Sequence, residues 1–199
     1  MSNNINKGLE VKDFVTVGIF SALFAAVTMV GGAIFASNPV LTFLLPPVVA
    51  LITAPVYLVL IAKVPKHGAI LILGILMACI MFVTGMYWMW SIAYIVFAIA
   101  AELISGVKNF KSMKLNILGY IVFSVNPLIT YSMLWINQKK YIEYLISKGT
   151  EKAYMDTMVA TAQDWMLPAM IIGTLILALI GAMIGKKLLQ KQFEKAGII

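Results

Sequence analysis

Few side chains in this sequence are equipped for chemistry. There is one histidine, His67, held between Lys66 and Gly68, and one cysteine, Cys79, inside an apolar block. A single thiol gives neither an intrachain disulfide nor a thiolate metal site. No histidine pair or carboxylate cluster has metal-ligand spacing, and no Ser-His or Asp-Asp arrangement suggests a catalytic group. The expectation is therefore no catalytic residue, no metal and no enzymatic activity. His67 reads as a solvated loop residue and Cys79 as a small buried hydrophobe. Gly181-x-x-x-Gly185-Lys186-Lys187 falls short of a phosphate loop, which needs four residues between its glycines and Ser or Thr after the lysine. It fits better as a small-x-x-x-small surface for helix contact. Glu102 is the one acid within an apolar block. About one turn from the end of that block, it can snorkel or meet a lysine, so its role reads as structural. Too few ionisable groups remain for a proton- or sodium-driven pump.

What remains is a polar and aromatic set capable of binding. Tyr87, Trp88 and Trp90 open one apolar block, just after Thr84. Asn38 and Thr42 flank a short uncharged connection. Asn126, Tyr131 and Trp135 lie along another block, and Trp165 opens the last. An aromatic belt at the lipid headgroups accounts for much of this. Yet successive helical residues are about 100° apart, so at least one of Tyr87, Trp88 and Trp90 must face inward. Aromatics and methionines with a few polar groups suit a flat, largely apolar ligand. Asn126, next to Pro127, admits two readings: a ligand contact, or a hydrogen bonder at a proline kink.

The elements that must position these residues are membrane helices. Of 199 residues, 62% are hydrophobic and 12% charged, against about 25% charged in a soluble domain. The apolar residues fall in six blocks, near 14–35, 41–62, 68–84, 86–105, 115–135 and 166–184, within a single membrane domain spanning 1–199. About 20 residues suffice to span the hydrocarbon core; the third block is short. The first block is too long for a signal-peptide core and lacks a good cleavage site.

The net charge is +7, and every basic residue is lysine. Lys7, Lys12, Lys63, Lys66, Lys108, Lys111, Lys114, Lys186, Lys187, Lys191 and Lys195 fall on one side of a six-span arrangement, and only Lys139, Lys140, Lys148 and Lys152 on the other. Positive residues stay in the cytoplasm, so both termini are expected inside. No basic face or recognition motif suggests nucleic acid. The long outer connection places Tyr141, Tyr144, Leu145 and Tyr154, Met155, Met158 at helical spacing. This predicts an amphipathic segment over about 138–163, lying on the surface or serving as a lid.

Ala22 and Ala26 share one face of the first helix, a spacing that lets another helix approach closely. With six spans, about 200 residues, Lys12-Asp13-Phe14 ahead of Gly18-Ile19-Phe20-Ser21-Ala22-Leu23, Pro46-Pro47 and Ala101-Glu102-Leu103-Ile104, the chain resembles the substrate-binding (S) component of an energy-coupling-factor transporter, of the MptD-like, Trep_Strep branch. The resemblance implies capture of a small nutrient at the outer face of a prokaryotic plasma membrane. It implies docking, through Ala22 and Ala26, on a membrane coupling protein with two cytoplasmic ATPases. ATP would be used by those partners and no cofactor by this chain. A vitamin-like compound or a tetrapyrrole fits the expected lining. The metal-specific members use N-terminal and loop histidines, and this chain has no histidine on the expected outer side. A small self-sufficient secondary transporter and a membrane assembly protein are the other readings.

Overall fold

The computed structural model describes residues 8–195; Lys7 and the side chains of Lys191 and Lys195 lie outside what is described. Among the described residues every regular element is helical. α1 (Val11–Ala36) leads through a 3₁₀ turn (Leu41–Leu44) into α2 (Leu45–Lys63). α3 (Ala69–Val83), α4 (Trp88–Gly106), α5 (Met113–Phe123) and α6 (Asn126–Ile136) follow. The short α7 (Gln138–Ser147) and α8 (Lys152–Thr161) precede α9 (Met166–Lys195). Five stretches are long and apolar enough to cross a membrane: Val11–Ala36, Leu41–Lys63, Trp88–Gly106, Met113–Ile136 and Met166–Gln190. α3 is equally apolar but has 15 residues, a rise of about 22 Å against a core of about 30 Å. The molecule is a multi-pass α-helical membrane protein; a sixth span would rest on α3.

The prolines shape the bundle. Pro46 and Pro47 occupy the first turn of α2, where no intrahelical donor is lost. Pro55 lies inside α2 and leaves the Leu51 carbonyl without its usual donor. α9 approaches there through its glycines. A Cβ on Gly181 would collide with the Leu51 carbonyl oxygen, and one on Gly185 would come 3.0 Å from Pro55 Cα. α2 and α9 form the most extensive helix pair of the fold. Gly181→Ala should therefore lower stability by about 1–3 kcal/mol through overpacking, read as an earlier unfolding midpoint in mild detergent. An unchanged midpoint would show that the α2–α9 contact yields without cost.

Behind α2 sits an aromatic core. The Tyr57 ring lies 5.0 Å from that of Tyr120 and 5.4 Å from that of Phe123, and Tyr94 is 5.7 Å from Phe123. The Tyr120 hydroxyl donates to the Ala50 carbonyl and lies 2.8 Å from Thr53 Oγ1, so its polar end is satisfied within apolar surroundings.

At the opposite end from α7 and α8, α1 is tied down by charge. Asp13 accepts from the Glu10 backbone N–H at 2.8 Å and pairs with Lys66 at 2.6 Å. α1 packs on α2 and α3, leaving Gly18, Ala22 and Ala26 exposed together on its outward side.

Two expectations are corrected. Cys79 is exposed, not buried: α3 turns Leu73, Gly74, Met77 and Ala78 inward and leaves Ile75, Leu76 and Cys79 outward. Glu102 meets no lysine. It is buried, and its carboxylate accepts from the backbone N–H groups of Gly68, Ile70 and Leu71 at the start of α3. His67 is more than half exposed, 3.5 Å from that carboxylate and edge-on to Phe110.

Candidate ligand-binding site

The proline in the middle of the α5–α6 span organises one end of the bundle. Pro127 removes the donor for the Phe123 carbonyl and breaks the helix there. The Asn126 side chain repairs the loss by donating Nδ2–H to that carbonyl at 2.7 Å. Its Oδ1 in turn accepts from Trp90 Nε1 at 2.7 Å. The Trp90 ring is thereby fixed, stacked on Tyr94 with 8° between planes.

Above Trp90 lies a cavity of about 670 Å³, within the size range of small-molecule pockets. Its walls come from the last turns of α1, the start of α2, the α3–α4 turn and α6. α7 and α8 form the roof. α7 buries Tyr141, and α8 buries Met155 and Met158, so their apolar faces rest on the cavity and not on a lipid surface. Two hydrogen bonds tether the roof. The Tyr154 hydroxyl donates to the Ala36 carbonyl at 2.8 Å, and that of Tyr144 to the Met86 carbonyl at 3.4 Å. Gly149, with φ +101°, makes the sharp turn between α7 and α8.

The lining is apolar with scattered hydroxyls. Thr42 Oγ1 lies 2.7 Å from the Tyr131 hydroxyl. Thr28 Oγ1 is buried with no hydrogen-bond partner in the protein, an unusual condition for a buried polar atom and one that a ligand would relieve. Thr130 Oγ1 faces the Tyr141 hydroxyl without good geometry. Burial pushes the Tyr141 and Tyr154 hydroxyls above the ordinary tyrosine value, so both remain neutral donors. Glu151 is the one charged residue in the lining.

Of the residues singled out in the sequence, Thr42, Thr84, Tyr87, Trp90 and Tyr131 line this cavity together. The other five do not. Asn38 Oδ1 accepts from the Val40 and Leu41 backbone N–H groups at 2.8 and 3.1 Å and closes its own turn. Trp88 and Trp165 face outward, 43% and 66% exposed. Trp135 packs edge-on to Phe43, behind the wall. Asn126 acts one layer deeper, through Trp90. Sequence reasoning missed Thr28, Thr130 and Glu151. Tyr141, Tyr154, Met155 and Met158 carried a signal in their helical spacing, but were assigned to a surface segment or a lid and not to the site.

The sequence matches, over residues 11–195, the family described as "Hypothetical bacterial integral membrane protein (Trep_Strep)". No curated protein and no solved structure matches.

Proposed function

Since the chain belongs to the Trep_Strep family of bacterial integral membrane proteins, we propose that it is the substrate-binding subunit of an energy-coupling-factor importer in the prokaryotic plasma membrane. In this reading it captures a small, largely apolar nutrient at the outer face and performs no catalysis. It docks on a coupling protein that carries two ATPases. The observation that carries the reading is the roofed cavity of about 670 Å³. The cavity lies at the end of the bundle opposite the connections that carry Lys63, Lys66, Lys108 and Lys111, and the lysine bias assigns those connections to the cytoplasm.

Two further features support it. The outward side of α1 presents Gly18, Ala22 and Ala26 one turn apart, a surface on which a partner helix can lie close. The described membrane-spanning segments hold one buried carboxylate beyond the first turn of α1, that of Glu102, and its oxygens are occupied by backbone donors. A self-driven transporter would need an ionisable group free to couple.

The test is affinity purification of the tagged protein from its own host in mild detergent, with mass spectrometry of what co-elutes. The expected result is two ATPases and a helical membrane protein in stoichiometric amount. Recovery of the protein alone, from membranes that contain such ATPases, would overturn the reading and favour a self-sufficient transporter or an assembly protein.

A further inference from the structure

Charge at the roof of the cavity narrows the ligand. Five aromatic residues, Tyr87, Trp90, Tyr131, Tyr141 and Tyr154, line it together with Glu151, and no lysine or histidine does. Tyr87 and Tyr141 meet edge to face at 5.1 Å, and Tyr154 follows Glu151 by three residues at the start of α8. The lysines flanking Glu151 in sequence are engaged elsewhere. Lys152 pairs with Asp156 at 2.7 Å, and Lys148 Nζ sits over the Tyr144 ring, 5.5 Å from its centre. No cationic group lies within ion-pair distance of Glu151 among the described residues.

From this arrangement we infer that the cavity takes a ligand with a cationic head, a protonated amine or quaternary ammonium, on a largely apolar body. The inference rests on the reading of the cavity as a ligand site. The head lies beneath the roof, against Glu151 and the faces of Tyr87, Tyr141 and Tyr154, because aromatic faces attract a cation and a nearby carboxylate adds to that attraction. The body extends toward Trp90 and Tyr131, where the lining is apolar with hydroxyls. A carboxylate or phosphate on the ligand would be desolvated there with no positive partner, which is strongly unfavourable. The site therefore discriminates by charge as well as by shape, and selects against dicarboxylate tetrapyrroles.

Equilibrium dialysis against the full chain in lipid nanodiscs, with empty nanodiscs as blank, tests this with three probes of one body: naphthylethylamine, naphthylethanol and naphthylpropanoate. At neutral pH the amine is expected to bind about tenfold more tightly than the alcohol, with the carboxylate weakest. In Glu151→Gln, an exposed position, the preference for the amine over the alcohol should shrink to about threefold or less. An amine that binds no better than the alcohol, a preference untouched by Glu151→Gln, or tightest binding of the carboxylate would overturn the cationic head and leave the cavity as a ligand site. Retention of none of the three above the blank would count against the cavity itself, and the inference would fall with it.

Discussion

Replacing Glu102 with alanine is expected to lower stability by about 3–5 kcal/mol, a large loss for one side chain at the end of the bundle opposite the cavity. α3 begins at Ala69 behind Gly68, which stands at φ +99° and offers no side chain to cap the helix. The first N–H groups of a helix have no intrahelical partner. Here the carboxylate of α4 takes three of them: Gly68, Ile70 at 3.0 Å and Leu71 at 3.1 Å. It also brings a negative charge to the positive end of the helix dipole. In Glu102→Ala three donors are left in a site that is mostly closed to water, and α3 loses its register on α4. Glu102→Gln keeps a carbonyl acceptor but turns an NH₂ group toward the same donors, so it should recover less than half of the loss. The measurement is the unfolding midpoint in mild detergent, together with amide exchange at residues 68–71, which should accelerate selectively. Unchanged exchange in the alanine variant would show that the cap is dispensable.

Glu102 also marks the boundary of what the sequence conveys. That Glu102 has a structural role was read from its place one turn from the end of its block, away from the mid-membrane position of a coupling acid. That its partners are backbone N–H groups did not follow, because backbone donors have no signature in the residue types around them. The helical blocks were legible from apolar length, and the break at Asn126-Pro127 from the missing donor of proline. The direction each side chain faces was not. In a soluble helix, polar residues mark the outer side. In a membrane helix the lipid side and the packed side are both apolar. Cys79 against Met77, and Trp88 against Trp90, could therefore not be sorted by type. The same ambiguity applies to Trp135, whereas Trp165 lies in the turn before α9. Outside the bilayer the contrast returns, and Tyr141, Tyr144, Leu145 and Tyr154, Met155, Met158 were recognised by their helical spacing as amphipathic. Spacing identifies such a face but not the surface it covers, and here that surface is the cavity.

In the proposed importer, Ala22→Leu with Ala26→Leu should lower complex formation and uptake by about tenfold or more while leaving the fold and the cavity intact. Both alanines are exposed on the outward side of α1, and a Cβ added to Gly18, one turn before, would meet nothing within 4 Å. Leucine there points into lipid, which is as apolar as the side chain itself, so the isolated protein has no reason to unfold. Neither alanine lines the cavity, so affinity for a probe such as naphthylethylamine should change by less than about twofold. In the proposed complex, the effect falls on the partner helix that would lie in this groove. Two added side chains at a close helix contact cost about 1–3 kcal/mol each, enough to reduce complex formation by about tenfold or more. Co-purified ATPase should drop accordingly, and transport into whole cells should fall with it. The conservative pair Ala22→Gly and Ala26→Gly keeps the groove open and should retain the partner. Undiminished recovery of ATPases with the leucine pair would remove α1 as the docking face, and the exposed side of α9 would become the next surface to test.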